Sequence, residues 1–283
     1  MGRVLYYPEQ LGICGVRELV EVCFDAAVEP LPLHSHPDAM ELCFLAGGSQ
    51  AYAVGDARFP LRGGQMFLTY PNELHQGATP FQERCRLYYL IVDTVNCREK
   101  FLGFPNGDCA VLAQSLQEIE QRVFFAGERT RELFEACFSF AGQLAQAPED
   151  PLLRSSLRCG LFFLLREILE CSRQGVPVYS PQIQAVLEYF SEHLEERLLL
   201  CDAAQAAQMS LEQLKRRFRR EVGIAPGDYL LRQKVQRAGE LIRSGCSITD
   251  AAFQLGFSSS QHFARVFKKY FGFAPSQLRI RGL

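Results

Sequence analysis

The sequence contains no run of 18 consecutive apolar residues, and its first residues lack the basic, apolar, small-residue order of a secretory signal. The first absence excludes a membrane-spanning helix, and the second leads to an expected cytoplasmic location with no membrane partner. The 11 cysteines are odd in number, scattered, and never spaced Cys-x-x-Cys. That disfavours a disulfide framework or a zinc finger and predicts reduced, mostly buried thiols. Histidine is scarce, five in 283 residues, so a stretch that gathers three of them stands out. Net charge is almost missing too, at −2. The balance conceals a polarity: residues 199–283 hold 14 Lys/Arg against 6 Asp/Glu, whereas the preceding 198 hold 16 against 26. A basic tail behind an acidic body suits a module that neutralises phosphate and releases counterions.

A length of 283 residues suggests two domains, and 48% apolar residues are enough for a core in each. Within the basic tail one pattern occurs twice. Asp202-Ala203-Ala204, Met209-Ser210, Leu214, Phe218, Gly223 and Pro226 return as Asp250-Ala251-Ala252, Phe257-Ser258, Phe263, Phe267, Gly272 and Pro275. The offset is 48 residues up to the serine and 49 after it, so the extra residue falls in a turn. Each copy reads as a short helix, a tight turn and a second helix. In the second copy Ser247-Ile248-Thr249-Asp250 has the form of a capping box, Gly256 is placed to end the helix in a left-handed conformation, and Ser258 or Ser259 caps the next one.

The second helix of each copy has an apolar stripe, Leu211, Leu214, Phe218 and Val222 in one and Phe263, Val266, Phe267 and Tyr270 in the other. Opposite lie Glu212, Lys215, Arg216, Arg219 and Arg220 in the first, and Gln261, His262, Arg265, Lys268 and Lys269 in the second. Such a face fits a major groove. Between the copies, residues 228–243 form one helical pattern, with Tyr229, Leu230, Val235, Ala238, Leu241 and Ile242 on the buried side and Arg232, Lys234 and Arg237 among the polar residues.

These residues carry a resemblance. Gly256-Phe257-Ser258, Phe263, Arg265, Phe267-Lys268-Lys269, Phe271-Gly272 and Pro275-Ser276 resemble the second helix-turn-helix of AraC-type transcriptional regulators, and the first repeat resembles their first. The likeness implies base contacts by Glu212, Lys215 and Arg216 in one unit and by Ser260, Gln261, His262 and Arg265 in the other. It also implies promoter DNA, a small-molecule effector and a second subunit as partners, and RNA polymerase if the protein activates. Two positions depart from the pattern: Gln208 stands where glycine commonly closes the first helix, and Leu199 where Ser247 caps its counterpart.

From about residue 18 to 93 the chain reads as short strands, at 19–24, 41–45, 52–59 with a hairpin at Gly55-Asp56, 66–70, and 87–92, the last continuously apolar and so central. Such spacing suggests a sandwich or barrel. Here sits the histidine cluster, His34-Ser35-His36, Glu41 and, after Gly63-Gly64 and Pro71, His75. Its order resembles the two motifs of the cupin barrel, although Asn72-Glu73-Leu74 replaces the usual Pro-x-Gly spacing. Three uses stay open: an organic effector pocket, a divalent transition-metal centre, and a structural polar cluster. No cofactor is required by the sequence.

Residues 108–174 read as helical, with Val111, Leu112, Leu116, Ile119, Val123 and Phe124 apolar in the first segment and Leu133, Phe134, Cys137, Phe138 and Phe140 in the second. Their apolar surface packs either on the strands of the same chain or on a second subunit. The expected class is α+β in two domains: a cupin-like barrel at 1–107 with a flanking helical segment at 108–174, a linker at 175–181 stiffened by two prolines, and an all-α domain at 182–283 with helix-turn-helix units near 199–220 and 247–271. The expected function is a sequence-specific regulator under effector control, with a sugar as the effector class that the resemblance suggests, and not an enzyme. A metal-dependent cupin enzyme with an accessory DNA-binding tail is the alternative.

Overall fold

The computed structural model describes residues 2–24, 28–79, 82, 85–96, 98–104, 109–174 and 179–278. Contacts divide the chain into a sheet-rich unit within residues 1–177 and a helical unit from 178 onward.

Among the described residues the sheet-rich unit has eight strands: β1 (Gly2–Tyr6), β2 (Val16–Phe24), β3 (Ala39–Val54), β4 (Ala57–Arg62), β5 (Gln65–Thr69), β6 (His75–Gly77), β7 (Cys85–Asp93) and β8 (Val123–Phe125). They run in the order β1-β2-β7-β3-β5-β8, so β7 is central, as its continuous apolar run predicts. The apolar run at 41–45 is only the start of β3, whose 16 residues serve two sheets. Its first part pairs with β5 and β7, and its last six residues with β4, in part also with β6. The register shifts between Leu45 and Gly47, and Gly48 has φ +89°, so the strand turns where a side chain would resist it. Gly55-Asp56 closes the two-residue hairpin between β3 and β4.

Among the described residues this unit also has three α-helices: α1 (Ala110–Gln117), α2 (Gly127–Gln146) and α3 (Pro151–Arg173). Asp150 caps α3 by accepting the amides of Leu152 and Leu153, with Pro151 at its first position. The sequence places Val123 and Phe124 on a helix, but they lie in β8, paired with Phe67 and Met66 of β5. Two adjacent apolar residues before a third carry no helical period of their own, and the open edge of β5 decides their conformation. Phe44, Tyr88 and Phe134 stack in the core at 5.3–6.4 Å between ring centroids. Leu157, Leu161, Leu164, Leu165 and Ile168 of α3 are fully buried in that same core. Each such side chain contributes about 1.5–3 kcal/mol to a core that α2 and α3 share with the sheet.

In the helical unit are α4 (Pro181–Glu192), α5 (Leu200–Ala206), α6 (Leu211–Val222), α7 (Pro226–Arg243), α8 (Ile248–Gln254) and α9 (Ser260–Phe271). Pro181 belongs to α4, and residues 175–178 of the expected linker lie outside the described residues. Two separate apolar cores form. One joins Ile183, Val186 and Phe190 of α4 to Leu214, Phe218 and Leu230. The other joins Val235, Ala238 and Ile242 to Phe263, Val266 and Phe267. Thus α7 is a beam shared by both.

Candidate functional site

The structure brings His34, His36, Glu41 and His75 together, with one ligand atom from each lying within 4.8 Å of the others. Backbone geometry builds the cluster. His34 and His75 form an antiparallel bridge, amide to carbonyl at 3.0 and 2.9 Å, and Glu41 enters from β3. Asn72 takes the left-handed conformation, φ +66°, that glycine would otherwise supply, and its amide donates to the His36 carbonyl at 3.0 Å. The replaced Pro-x-Gly spacing is therefore compensated by asparagine. Arg122 grips Glu73 through two hydrogen bonds, at 2.5 and 2.8 Å, and donates to the Leu68 carbonyl at 2.9 Å. That clamp fixes the loop carrying His75.

Each of two imidazoles has one nitrogen engaged by the backbone: His34 Nδ1 lies 2.9 Å from the Pro32 carbonyl and His75 Nδ1 3.0 Å from that of Glu73. A carbonyl accepts only, so both Nδ1 atoms carry hydrogen and Nε2 is left as the lone-pair nitrogen of the neutral ring. Glu41 Oε2 stands 2.9 Å from His75 Nε2 and 3.8 Å from His36 Nε2. None of these three buried atoms has a hydrogen bond of acceptable geometry among the described residues. The donor set, imidazole plus carboxylate with buried unsatisfied atoms converging, fits a divalent transition metal. Burial pushes the Glu41 carboxyl up, but the imidazoles of His36 and His75 outweigh it and hold the group at about 2. Burial also lowers His34, whereas at His75 the opposing pull of Glu41 wins and raises it.

Sequence reasoning misses Thr69. It pairs directly with Glu41 across β5 and β3, and its buried hydroxyl has no hydrogen-bond partner among the described residues. Only strand register reveals it. Farther along the wall, Cys43 Sγ meets the Tyr52 hydroxyl at 3.3 Å, and Tyr52 stacks on Phe67 at 4.7 Å.

In the helical unit, α6 presents Glu212, Lys215, Arg216 and Arg219 to solvent, and α9 presents Gln261, Arg265, Lys268 and Lys269. Ser260 and His262 are half-buried, with the His262 ring edge-on to Phe257 at 5.6 Å. Lys215 pairs with Glu212 at 2.8 Å, and Arg217 and Arg220 reach Glu221 at 3.5 and 3.4 Å. Arg216 and Arg219 form no ion pair among the described residues. Lys269 is drawn toward Asp228 of α7, at 3.3 Å. Gln208 has φ +55°, the non-glycine left-handed turn that its place in the repeat predicts, and Leu199 provides no side-chain cap.

The helix starts differ from expectation. The complete capping box lies in the first unit: Ser210 Oγ accepts the Gln213 amide at 3.2 Å, and Gln213 Oε1 accepts the Ser210 amide at 2.9 Å. At Ser247 only half forms, because the shorter Asp250 carboxylate takes the Ser247 hydroxyl at 2.6 Å instead of its amide. Ser259, not Ser258, caps α9. Lys234, placed among the polar residues by the sequence, is buried. The missed signal is its position midway between Leu230 and Ala238 on a buried i, i+4 row.

Comparison with known proteins agrees with both units. Residues 27–162 match the family model described as AraC-like ligand binding domain, and residues 203–281 that of a helix-turn-helix domain. The HTH-type transcriptional regulator YfiF of Bacillus subtilis (strain 168) is 26% identical over 258 residues, 87% of this chain and 78% of that protein. The HTH-type transcriptional activator RhaS of Escherichia coli O139:H28 is 28% identical over 137 residues, 47% of this chain and 49% of its own length. Among solved structures, the DNA-binding domain of AdpA in complex with a target DNA is 31% identical, covering 36% of this chain and 93% of that one, with a TM-score of 0.35. With a ligand-binding model and a helix-turn-helix model matched in that order along one polypeptide, the chain belongs to the AraC-type transcriptional regulators.

Proposed function

We propose that this regulator senses its effector at the His34, His36, Glu41 and His75 cluster through a divalent transition metal, and reads promoter DNA as a homodimer. The observation that carries the sensor half is the convergence of His36 Nε2, Glu41 Oε2 and His75 Nε2 as buried atoms without hydrogen bonds. Left alone, these buried atoms have only one another in place of the water they lose, at 2.9 Å for Glu41 with His75 and 3.8 Å for Glu41 with His36. A bound cation would satisfy all of them at once and would supply a Lewis-acidic attachment point for an oxygen-bearing effector, such as the sugars that the family resemblance suggests. Glu41 supplies the negative charge, His34 and His75 offer nitrogens oriented by their backbone partners, and the Thr69 hydroxyl is placed to donate to the effector.

For DNA, Arg216 and Arg265 are the proposed base readers, with Glu212, Lys215, Ser260, Gln261 and His262 beside them, while Arg219, Lys268 and Lys269 face phosphate. A second subunit is proposed along α3, where Leu152, Cys159 and Phe163 line one exposed face, with Leu152 74% and Phe163 51% accessible.

The test is elemental analysis of the purified full chain after incubation with zinc, manganese or ferrous ion and removal of the excess. About one ion per chain is expected, lost in His36→Ala with folding intact. No stoichiometric metal under any of the three conditions would leave a metal-free organic pocket as the reading of the cluster.

A further inference from the structure

The two helix-turn-helix units have separate apolar cores, and among the described residues α7 is the helix that enters both. A single helix leaves two bodies free to twist about their common beam, yet reading two groove segments together requires a fixed separation. A second attachment exists. Lys234 leaves α7 between Leu230, which packs in the first core, and Val235, which packs in the second. Its ammonium donates to the Glu196 carbonyl at 2.5 Å and the Leu255 carbonyl at 2.7 Å. Glu196 lies in the turn between α4 and α5, both elements of the first core, while Leu255 is the C-terminal cap of α8 in the second unit. A cation at the carbonyl end of α8 is also favoured by the helix dipole.

Other groups close round the same turn. Glu195 accepts from Arg237 Nε of α7 at 3.2 Å and from Gln254 Nε2 of α8 at 3.1 Å. Gly256, φ +71°, lies so near that a Cβ there would stand 2.6 Å from the Glu196 carbonyl oxygen and 2.9 Å from Arg197 Cα. The exposed pair of Asp228 with Lys269 adds a contact farther along, but solvent screens it. The buried tie is Lys234, and neither of its partners is a carboxylate.

We infer that Lys234 is a positioning residue for DNA reading: held between the Glu196 and Leu255 carbonyls, its ammonium locks α6 and α9 at one separation, so the protein accepts only operators whose two contact segments match it. Lys234 touches no base or phosphate in this role. It converts two weak readers into one rigid bidentate reader, and the free protein already holds the arrangement that binding requires.

The experiment uses the full chain and a duplex selected by it from a random DNA library. Base pairs are then inserted between the two protected segments, two of them turning one segment by about 70° relative to the other. The wild-type protein should lose about a hundredfold in affinity on that insertion, as one reader is disengaged. Lys234→Met should bind the selected duplex about tenfold more weakly and lose less than tenfold further on insertion, because α6 and α9 can then adjust separately. Lys234→Arg, which keeps a cationic donor, should restore the wild-type ratio. If the Met variant does not fold by circular dichroism, Lys234→Gln replaces it: its uncharged amide keeps a polar group in the site, but its shorter side chain does not reach both the Glu196 and Leu255 carbonyls and so cuts the tie. A folded Met or Gln variant with the wild-type spacing ratio overturns the inference, as does a wild-type protein indifferent to the insertion.

Discussion

The two helix-turn-helix units are copies by pattern and unlike by construction. The second turns on Gly256 in a left-handed conformation, whereas the first turns on Gln208 in the same conformation without glycine's freedom. The first compensates at its reading helix, where Ser210 and Gln213 satisfy two amides reciprocally, while Ser259 satisfies only one at the start of α9. Charge is distributed differently as well. On α6 a row of cations is tempered by Glu212 and Glu221, whereas α9 carries fewer cations and no carboxylate. A repeated fold therefore constrains the positions that must be apolar or must turn, and leaves each copy free to solve its ends and its face separately.

The strongest way to break the comparison is in the cores. Phe218→Ala and Phe267→Ala each remove a fully buried ring and should each cost about 3–5 kcal/mol in denaturant unfolding. Because the cores are separate, native-state hydrogen exchange should show the greater loss of protection in α6 for the first and in α9 for the second. Equal loss in both helices from either change would show a single cooperative core.

The turns should respond with opposite sign. Gly256→Ala meets both the left-handed penalty, about 1–2 kcal/mol, and a backbone neighbour at 2.6 Å, so it should destabilise by about 2 kcal/mol or more. Gln208→Gly relieves the same penalty and gives part of it back as chain entropy, for a gain of a few tenths of a kcal/mol. Thermal melts of the two variants decide the matter; a loss at Gln208 would mean that its side chain holds the first turn in some other way.

At the DNA face the units should behave alike. Arg216→Ala and Arg265→Ala should each weaken binding by about 1–3 kcal/mol and relax preference at a few base pairs, read by competition with altered duplexes at fixed salt. A loss uniform over all sequences would assign the residue to phosphate. Lys268→Ala is expected to give that uniform loss and to lower the salt slope by about one.

The smallest effect is acid sensitivity confined to the first unit. Burial works against the Glu221 charge, but Ser180, Arg217 and Arg220 outweigh it and hold the carboxyl below its usual range. A depressed folded value gives stability that is present above the unfolded glutamate value, about 4.3, and is lost as pH falls through the folded one. Protection of α6 should therefore decline in acid ahead of α9, whose equivalent position is Tyr270. Glu221→Gln should abolish the difference; if α9 declines first regardless, Glu221 is not the cause.

Much of this arrangement is written in local pattern. Periodicity places α6, α7 and α9, the Gly55-Asp56 pair places a hairpin, and the continuous apolar run of β7 marks it as central. The histidines and Glu41 are legible as residues of one chemistry, because their order along the chain is distinctive. Thr69 and Arg122 are not legible, since one joins the cluster by cross-strand register and the other by a side chain reaching back 49 residues to Glu73. Val123 and Phe124 fail for a related reason: a three-residue strand at a sheet edge has no period to read.

By itself the sequence determined that the chain carries a repeated DNA-reading module behind a strand-rich sensor. The necessary signals, helical stripes, caps, turn residues and charge asymmetry, act within a few residues of one another. Tertiary structure alone decided which polar groups lose water. Lys234 is polar by type and buried by position, and the imidazoles converge on Glu41 because β3, β6 and the Asn72 turn fold toward one another. Desolvation depends on neighbours distant in sequence, and so it follows from the assembled fold rather than from local pattern.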